Sequence, residues 1–281
     1  MKPSRGNLAT AAGMSRRSAL IIGVGLLILY GIPLLWVVLT SLKTNEDIYA
    51  PGIGIFFHPT LDAYRGLLSQ GLEKGLGNSL IVAVGTVVVT LAFGVPCAHG
   101  LARISGRWVA IVLSALTILQ MVPQPATLIP LYKVYTDWSL LGTRTGLVLA
   151  DAALLMPFTI IIMRPFFRAV PSETEEAALV DGAGYWGVFR FVSLPLARNG
   201  ITTAAILVFF IAWGEFIYAV EFLSSPSRYP LSVLIANQVT QYGVNWPGLM
   251  AIATTTAVPL LVIFVFGYRF LREGLRVGAV R

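Results

Sequence analysis

Six long apolar runs, at about 19–40, 77–101, 108–131, 146–163, 200–223 and 247–268, constrain this 281-residue chain more than any other feature. About 20 apolar residues in helical form match the hydrocarbon thickness of a bilayer. Lipid offers backbone amides no hydrogen-bond partner, so a run that crosses it must close its own bonds as a helix. The expected fold is an all-α membrane protein with six transmembrane helices, one membrane domain over residues 1–281. With 56% hydrophobic and 12% charged residues, the chain carries about half the charge of an ordinary soluble domain. No repeat, low-complexity tract or soluble domain interrupts it.

The net charge is +7, and its distribution carries the information. Under the six-span reading, only Lys43, Arg65, Lys74, Lys133, Arg144 and Arg228 lie opposite the termini. The other fourteen of the 20 Lys and Arg residues share the side of the termini. By the positive-inside rule both termini, with the N-terminal segment 1–18, and the 164–199 connection are cytoplasmic. The basic balance is thus a topology signal, and no nucleic-acid partner is implied. Arg16-Arg17 ahead of an apolar run imitates an export signal, but the run is too long and no cleavage pattern follows it. It reads as a retained first span.

Between the fourth and fifth runs lies a polar segment, 171–195, too charged to cross lipid. Ser172 with Glu175 three residues later has capping-box spacing, which predicts a helix start. Ala178 and Gly182 put a small-residue stripe on that helix. Gly182-Ala183-Gly184 breaks it, and Trp186–Val192 reads as a second short apolar helix stopped by Pro195. A helix-turn-helix on the water face of a membrane protein suits docking of a partner. The long connection 41–76, with Pro51 and Pro59, reads as a folded loop with short helical pieces. Pro123, Pro125 and Pro130 break the third span, and broken backbone at membrane depth is tolerated where protein or water satisfies it. That span is expected to line the interior, with Gln120 and Gln124 as candidate pathway residues.

Three carboxylates fall within apolar runs: Asp151, Glu215 and Glu221. A charged carboxylate at a lipid-facing mid-bilayer position costs about 2.5–3.5 kcal/mol, so these groups should face protein. Asp151 and Glu215 sit about 8 and 12 Å inside their spans, and Glu221 lies near the surface. No Lys or Arg in the membrane core pairs with them, which leaves hydroxyls, amides, backbone groups or a neighbouring subunit. Structural, substrate-contacting and proton-coupling roles all stay open, and Gly214 beside Glu215 admits a close backbone approach. On the connection before the last span, Asn237, Gln238, Gln241, Tyr242, Asn245 and Trp246 mix amides with aromatics. Such groups suit a wet protein interface or sugar hydroxyls, besides plain solvation.

Catalytic and metal chemistry find no support. No Gly-x-x-x-x-Gly-Lys loop is present to cradle a nucleotide. Cys97 stands alone and reads as a small core hydrophobe. His58 and His99 are too separated for a metal site or a triad, and His99 reads as a hydrogen-bonding structural residue.

Glu176-Ala177-Ala178, then Gly182, then Val192-x-Leu194-Pro195 resembles the EAA signature of permease subunits in binding-protein-dependent ABC importers; Val192 stands where the signature has Ile. Asn78-Ser79-Leu80, Gly100-Leu101-Ala102-Arg103, Pro130-Leu131-Tyr132, Trp213-Gly214-Glu215-Phe216 and the tail Gly274-Leu275 to Arg281 extend the resemblance to the maltose-type carbohydrate permeases. The family usually has Asn where Gly214 stands. The resemblance implies that 171–195 is a coupling helix seated in a cleft of an ATPase subunit, through Glu175, Glu176, Ala177, Ala178, Asp181, Gly182, Ala183, Leu194 and Pro195. It implies a second permease subunit as heterodimer partner, two copies of an ATPase that binds ATP and Mg, and an extracytoplasmic solute-binding protein touching the 237–246 connection. No cofactor is expected on this chain. The expected function is passage of a sugar through a bacterial or archaeal inner membrane. Glycerol-3-phosphate or a related polar solute is an alternative, since related permeases share these motifs. A proton-coupled secondary transporter is an alternative of another class, disfavoured by the lack of an inverted repeat.

Overall fold

The structure, a computed structural model, describes residues 15–51, 54–241 and 243–279. Helix dominates, as closed backbone bonding in lipid requires. In chain order the elements are α1 (Arg16–Ser41), α2 (Asn45–Tyr49), α3 (Asp62–Ser69), α4 (Leu72–Arg103), α5 (Arg107–Gln120), α6 (Gln124–Asp137) and α7 (Arg144–Arg168). There follow α8 (Ser172–Val180), α9 (Tyr185–Val188), a π-helical turn (Phe189–Ser193), α10 (Leu194–Leu196), α11 (Arg198–Trp213) and α12 (Ile217–Phe222). A 3-10 turn (Pro226–Arg228), α13 (Leu231–Ala236), a two-stranded hairpin of β1 (Val239–Thr240) and β2 (Gly243–Val244), and α14 (Trp246–Ala279) complete the described chain.

Residues 17–41, 72–103, 144–168 and 246–268 are each long and apolar enough to cross a membrane singly. Two bent pairs pass the same test when each is taken as one span, giving up to six. Here the prolines and Glu215 redraw the expected boundaries. The third run does not continue straight to residue 131: α5 ends at Gln120 and α6 leaves at 94° to it. At 14 residues, α5 is about 21 Å long, short of a full bilayer core. The fifth run breaks at Gly214-Glu215-Phe216 between α11 and α12. Pro195 does not stop its helix, which runs to Leu196 before turning by 75° into α11. The wide turn just before it, where Leu194 N–H bonds to Phe189 O, absorbs the proline ring and its missing donor. Short helices α2 and α3 occupy the 41–76 connection as expected.

The chain forms two compact units. The first holds the residues up to 67 and 238–255. Within it Ser41 and Tyr64 share a hydroxyl bond at 2.8 Å, and Thr60 N–H bonds to Leu42 O at 2.9 Å. Lys43, nearly fully buried, stacks its ammonium 4.7 Å from the Trp36 ring and 5.1 Å from Phe57.

The second unit, 68–237 with 256–281, is built on α4 packed against α7. Apolar burial drives little association in lipid, so close backbone approach across small residues must supply dispersion contacts. Gly85 faces Val148 and Gly94 faces Thr159 along this seam. Around its first half, Val82, Tyr135, Leu147, Tyr218 and Phe222 form one cluster, with Tyr218 stacked on Phe222 at 5.3 Å. Val95, Met163, Phe167, Phe189 and Ala197 form another at the far half. Cys97 is exposed on α4, not the core residue its apolar surroundings suggest.

A Cβ at Gly94 would lie 2.9 Å from Thr159 Cγ2. Gly94→Val should therefore force α4 off α7, destabilising by about 1–3 kcal/mol. Gly100→Ala, with open space around it, should be neutral or slightly stabilising. Thermal unfolding of the detergent-purified protein checks both.

Candidate functional site

The 171–195 segment is a helix-turn-helix. The termination of α8 is a Schellman arrangement: Gly182 takes φ +90°, its N–H bonds to Leu179 O, and Ala183 N–H bonds to Ala178 O, both at 3.0 Å. Glycine reaches this left-handed backbone without strain, which explains its presence there. The other end of α8 departs from expectation. Pro171 takes the cap position, with no side-chain cap bond, and Ser172 already belongs to the helix. The capping box fails because the Glu175 carboxylate is engaged elsewhere, by a charged donor stronger than a backbone amide.

That donor is Arg103, at the end of α4. Its Nε donates to Glu175 Oε2 at 2.7 Å and its Nη2 to Oε1 at 2.6 Å, a planar fork. The same Nη2 also donates to Val170 O at 3.2 Å. Ser193 Oγ donates to Oε1 at 2.6 Å, and His99 Nε2 lies 3.3 Å from that oxygen. His99 is held edge-on to Phe167 at 5.1 Å, the hydrogen-bonding place its sequence context suggests. Burial alone would raise the Glu175 pKa. The bonds from Arg103 and Ser193, the Arg103 charge and His99 outweigh it and hold the group at about 2.

So Glu175 faces inward as an anchor, while Glu176, Ala177, Asp181 and Gly182 are exposed and Ala178 and Ala183 half-buried. Leu194 is half-buried and Pro195 exposed. Large apolar side chains stand out from the same segment: Val180 is 88% exposed, Tyr185 85% and Phe191 74%. Large apolar side chains exposed on a segment anchored by a buried carboxylate suit contact with a partner.

Among the carboxylates, the structure unites Glu215 with Gln124. Glu215 Oε1 accepts from Gln124 Nε2 at 2.9 Å and from Tyr218 N–H at 2.7 Å, and Oε2 accepts from Ala219 N–H at 3.1 Å. The acid thus satisfies two amides that open where α12 begins, as an N-terminal cap does. Amide and backbone partners are what the lack of a nearby cation required. Ser232 Oγ adds a bond to the Glu215 carbonyl at 2.6 Å. Asp151 is 1% exposed, and neither oxygen has a hydrogen-bond partner among the described groups. Gln120, Gly214 and Glu221 are exposed.

In the 237–246 connection, Gln238 is buried and its Oε1 accepts from Asn245 Nδ2 at 2.9 Å, closing the hairpin. Asn245 Oδ1 further accepts from Gly248 N–H at 3.3 Å. These two amides bond to each other and to the backbone, with Asn245 still exposed, as are Asn237, Gln241 and Trp246. Tyr242 lies outside the described residues. Arg103, His99 and Ser193 were absent from the expected site. No local pattern joins them to Glu175, since Arg103 precedes it by 72 positions.

The family of binding-protein-dependent transport system inner membrane components matches residues 90–277, and the chain belongs to it. A probable ABC transporter permease protein, y4oR of Sinorhizobium fredii, is 32% identical over 90% of this chain and 91% of its own. The sulfoquinovosyl glycerol transport system permease protein SmoH of Agrobacterium fabrum is 31% identical over 98% and 99%. The trehalose transport system permease protein SugB of Mycobacterium tuberculosis is 31% identical over 93% and 94%. A chain from the crystal structure of a bacterial ABC transporter that imports the acidic polysaccharide alginate shares the fold. Its TM-score is 0.73 at 22% identity, covering 91% of this chain and 98% of that one.

Two outcomes follow from the geometry. Glu175→Gln should cost about 1–3 kcal/mol at neutral pH by leaving Arg103 without its anion. The folded pKa is depressed from 4.5 to about 2. The charge contribution is therefore complete above the ordinary value and is lost as pH falls through the folded one. The wild-type advantage over Glu175→Gln in thermal unfolding should accordingly hold at pH 6 and shrink towards pH 2. Glu215→Leu should strand the Tyr218 and Ala219 amides at about 1–3 kcal/mol each, while Glu215→Gln keeps an acceptor and most of the stability. Unfolding midpoints of the two variants test the difference.

Proposed function

We propose that this chain is the six-span permease subunit of a carbohydrate importer, and that 171–195 is the segment through which an ATPase subunit moves it. The observation that carries the reading is the segment's construction. An exposed apolar face with a left-handed Gly182 is anchored to the end of α4 by the Arg103–Glu175 fork. A solvated loop needs no such anchor; a lever does. ATP and Mg belong to the ATPase, expected in two copies. A second permease completes the pathway, and a solute-binding protein delivers the cargo, with the exposed Asn237, Gln241 and Trp246 as its contacts. The membrane is the inner membrane of a bacterium or archaeon, with both termini cytoplasmic on the positive-inside split.

A sugar is favoured as cargo by the relatives named for sulfoquinovosyl glycerol and trehalose transport. Within this reading Gln124 and Glu215, with Asp151 behind them, border the pathway. Glu176, Ala177, Ala178, Asp181, Gly182 and Ala183 meet the ATPase, and Glu175 holds the segment from behind.

Gly182 separates this reading from an inert loop. Nothing lies within 4 Å of a Cβ built there, so a new side chain projects outward, on a backbone that only glycine adopts cheaply. Gly182→Asp should leave membrane insertion intact while the co-purifying ATPase and sugar uptake fall together. Wild-type ATPase retention, with wild-type hydrolysis stimulated by the binding protein, would remove 171–195 from the coupling role.

A further inference from the structure

The basic residues opposite the termini are sparse, and their engagement differs. Arg65 pairs with Asp62 at 3.3 Å. Lys43 is buried against Trp36 and Phe57. Lys133 lines a cavity together with the acids Asp137 and Glu221. The remaining three, Lys74, Arg144 and Arg228, line one cavity of about 690 Å³ with no acidic residue among its walls. Glu73, beside Lys74 in sequence, is not part of the lining. Three exposed like charges around one cavity, with no counter-charge in its lining, concentrate positive potential where an anion would be drawn.

The three basic side chains are exposed, and one wall of the cavity is tied to the fold. Arg228 donates from Nη1 to the Gly142 carbonyl, and Gly142 N–H bonds to Phe222 O at 2.7 Å. Buried Asn78 donates from Nδ2 to both Ser227 O and Tyr229 O at 3.0 Å, tying the turn that carries Arg228 to α4. Arg144 opens the 25-residue α7 directly after its Thr143 cap, so the positive end of a long helix dipole adds to the three side chains.

We infer that this cavity binds an oxyanion carried by the transported solute: a carboxylate, sulfate or phosphate ester on a sugar. The inference rests on the permease reading and narrows its substrate class, from sugars in general to acidic ones. The size suits it, since a cavity of a few hundred Å³ accommodates a monosaccharide-sized ligand.

The test uses the whole importer, with its ATPase, in nanodiscs of phosphatidylcholine alone, which removes anionic lipid as a competitor. Glucuronate and glucose serve as probes in saturation-transfer NMR, for wild type and the double variant Lys74→Gln/Arg144→Gln. Arg228 is left intact because it also holds Gly142. Wild type should bind glucuronate in preference to glucose. The double variant should weaken glucuronate binding by about tenfold or more, each charge-assisted bond being worth that much. Unchanged basal ATP hydrolysis in the double variant shows that the assembly is intact. No preference for glucuronate, or equal binding by the variant, overturns the inference. Loss of binding-protein docking in the variant without any glucuronate preference also overturns it, and assigns the cavity to an acidic protein surface. Retention of the ATPase and of wild-type stimulated hydrolysis in Gly182→Asp would instead strike the coupling role on which the permease reading rests, so the two failures are distinguishable.

Discussion

The Arg103–Glu175 fork is the interaction on which the water-exposed part of this structure depends. A carboxylate buried beside aromatic rings is costly unless its lone pairs are filled, and here two Arg103 nitrogens and the Ser193 hydroxyl fill them, with His99 alongside. The consequence is geometric. Glu175 belongs to α8, Ser193 to the π turn and Arg103 to α4, so one side chain fixes three elements at once. Packed elements of this kind pass displacement on instead of absorbing it. The exposed face of 172–196 is thereby held at a defined angle to the membrane helices, although nothing in its own apolar surface would set that angle.

Inside the apolar region a different constraint rules: every break in a helix frees backbone groups that lipid cannot satisfy. The two breaks are solved differently. Between α5 and α6 prolines remove donors outright, so fewer amides are left to satisfy. Between α11 and α12 no proline is present, and Glu215 supplies acceptors for Tyr218 and Ala219 instead. The acid there needs no cation, because the amides it meets are themselves in want of a partner. Asp151 shows the contrast: more deeply buried than Glu215, it finds no donor among the described groups, which sets it apart as a group not explained by helix geometry.

Much of this was readable in the chain, and the residues show where readability stops. The apolar runs, the helix break at Gly182, the helical pieces after residue 41 and the non-ionic partners of Glu215 all follow from local composition or simple exclusion. The capping box did not survive, because spacing reveals what Glu175 is able to bond and not what competes for it. Arg103 looked like one more inside positive charge. Only the packing of α4 against α7, set by Gly85 and Gly94, carries it to Glu175. Pro195 misled for a related reason: a π turn, which has no sequence signature of its own, let the helix run through it. The cluster of Lys74, Arg144 and Arg228 was hidden because its members come from the start of α4, the start of α7 and the 226–228 turn, far apart in sequence.

Helix α4 joins these features. Its 32 residues make a rod of about 48 Å, interrupted only by the lost donor at Pro96. At one end Arg103 grips the α8 segment. At the other Asn78 bonds to the carbonyls of Ser227 and Tyr229, and Ser79 Oγ accepts Leu231 N–H at 2.9 Å. Between the two ends α7 approaches closely at Gly85 and Gly94, and Val82, Val95, Leu147 and Met163 fill the clusters on either side, so the two helices are interlocked along the seam. A rod pinned by specific polar contacts at both ends and packed along its middle ties the 172–196 segment and the turn at 226–228 to one element. On the proposed reading, a displacement imposed on the 172–196 segment through Glu175 would be carried by α4 towards the turn that holds Arg228.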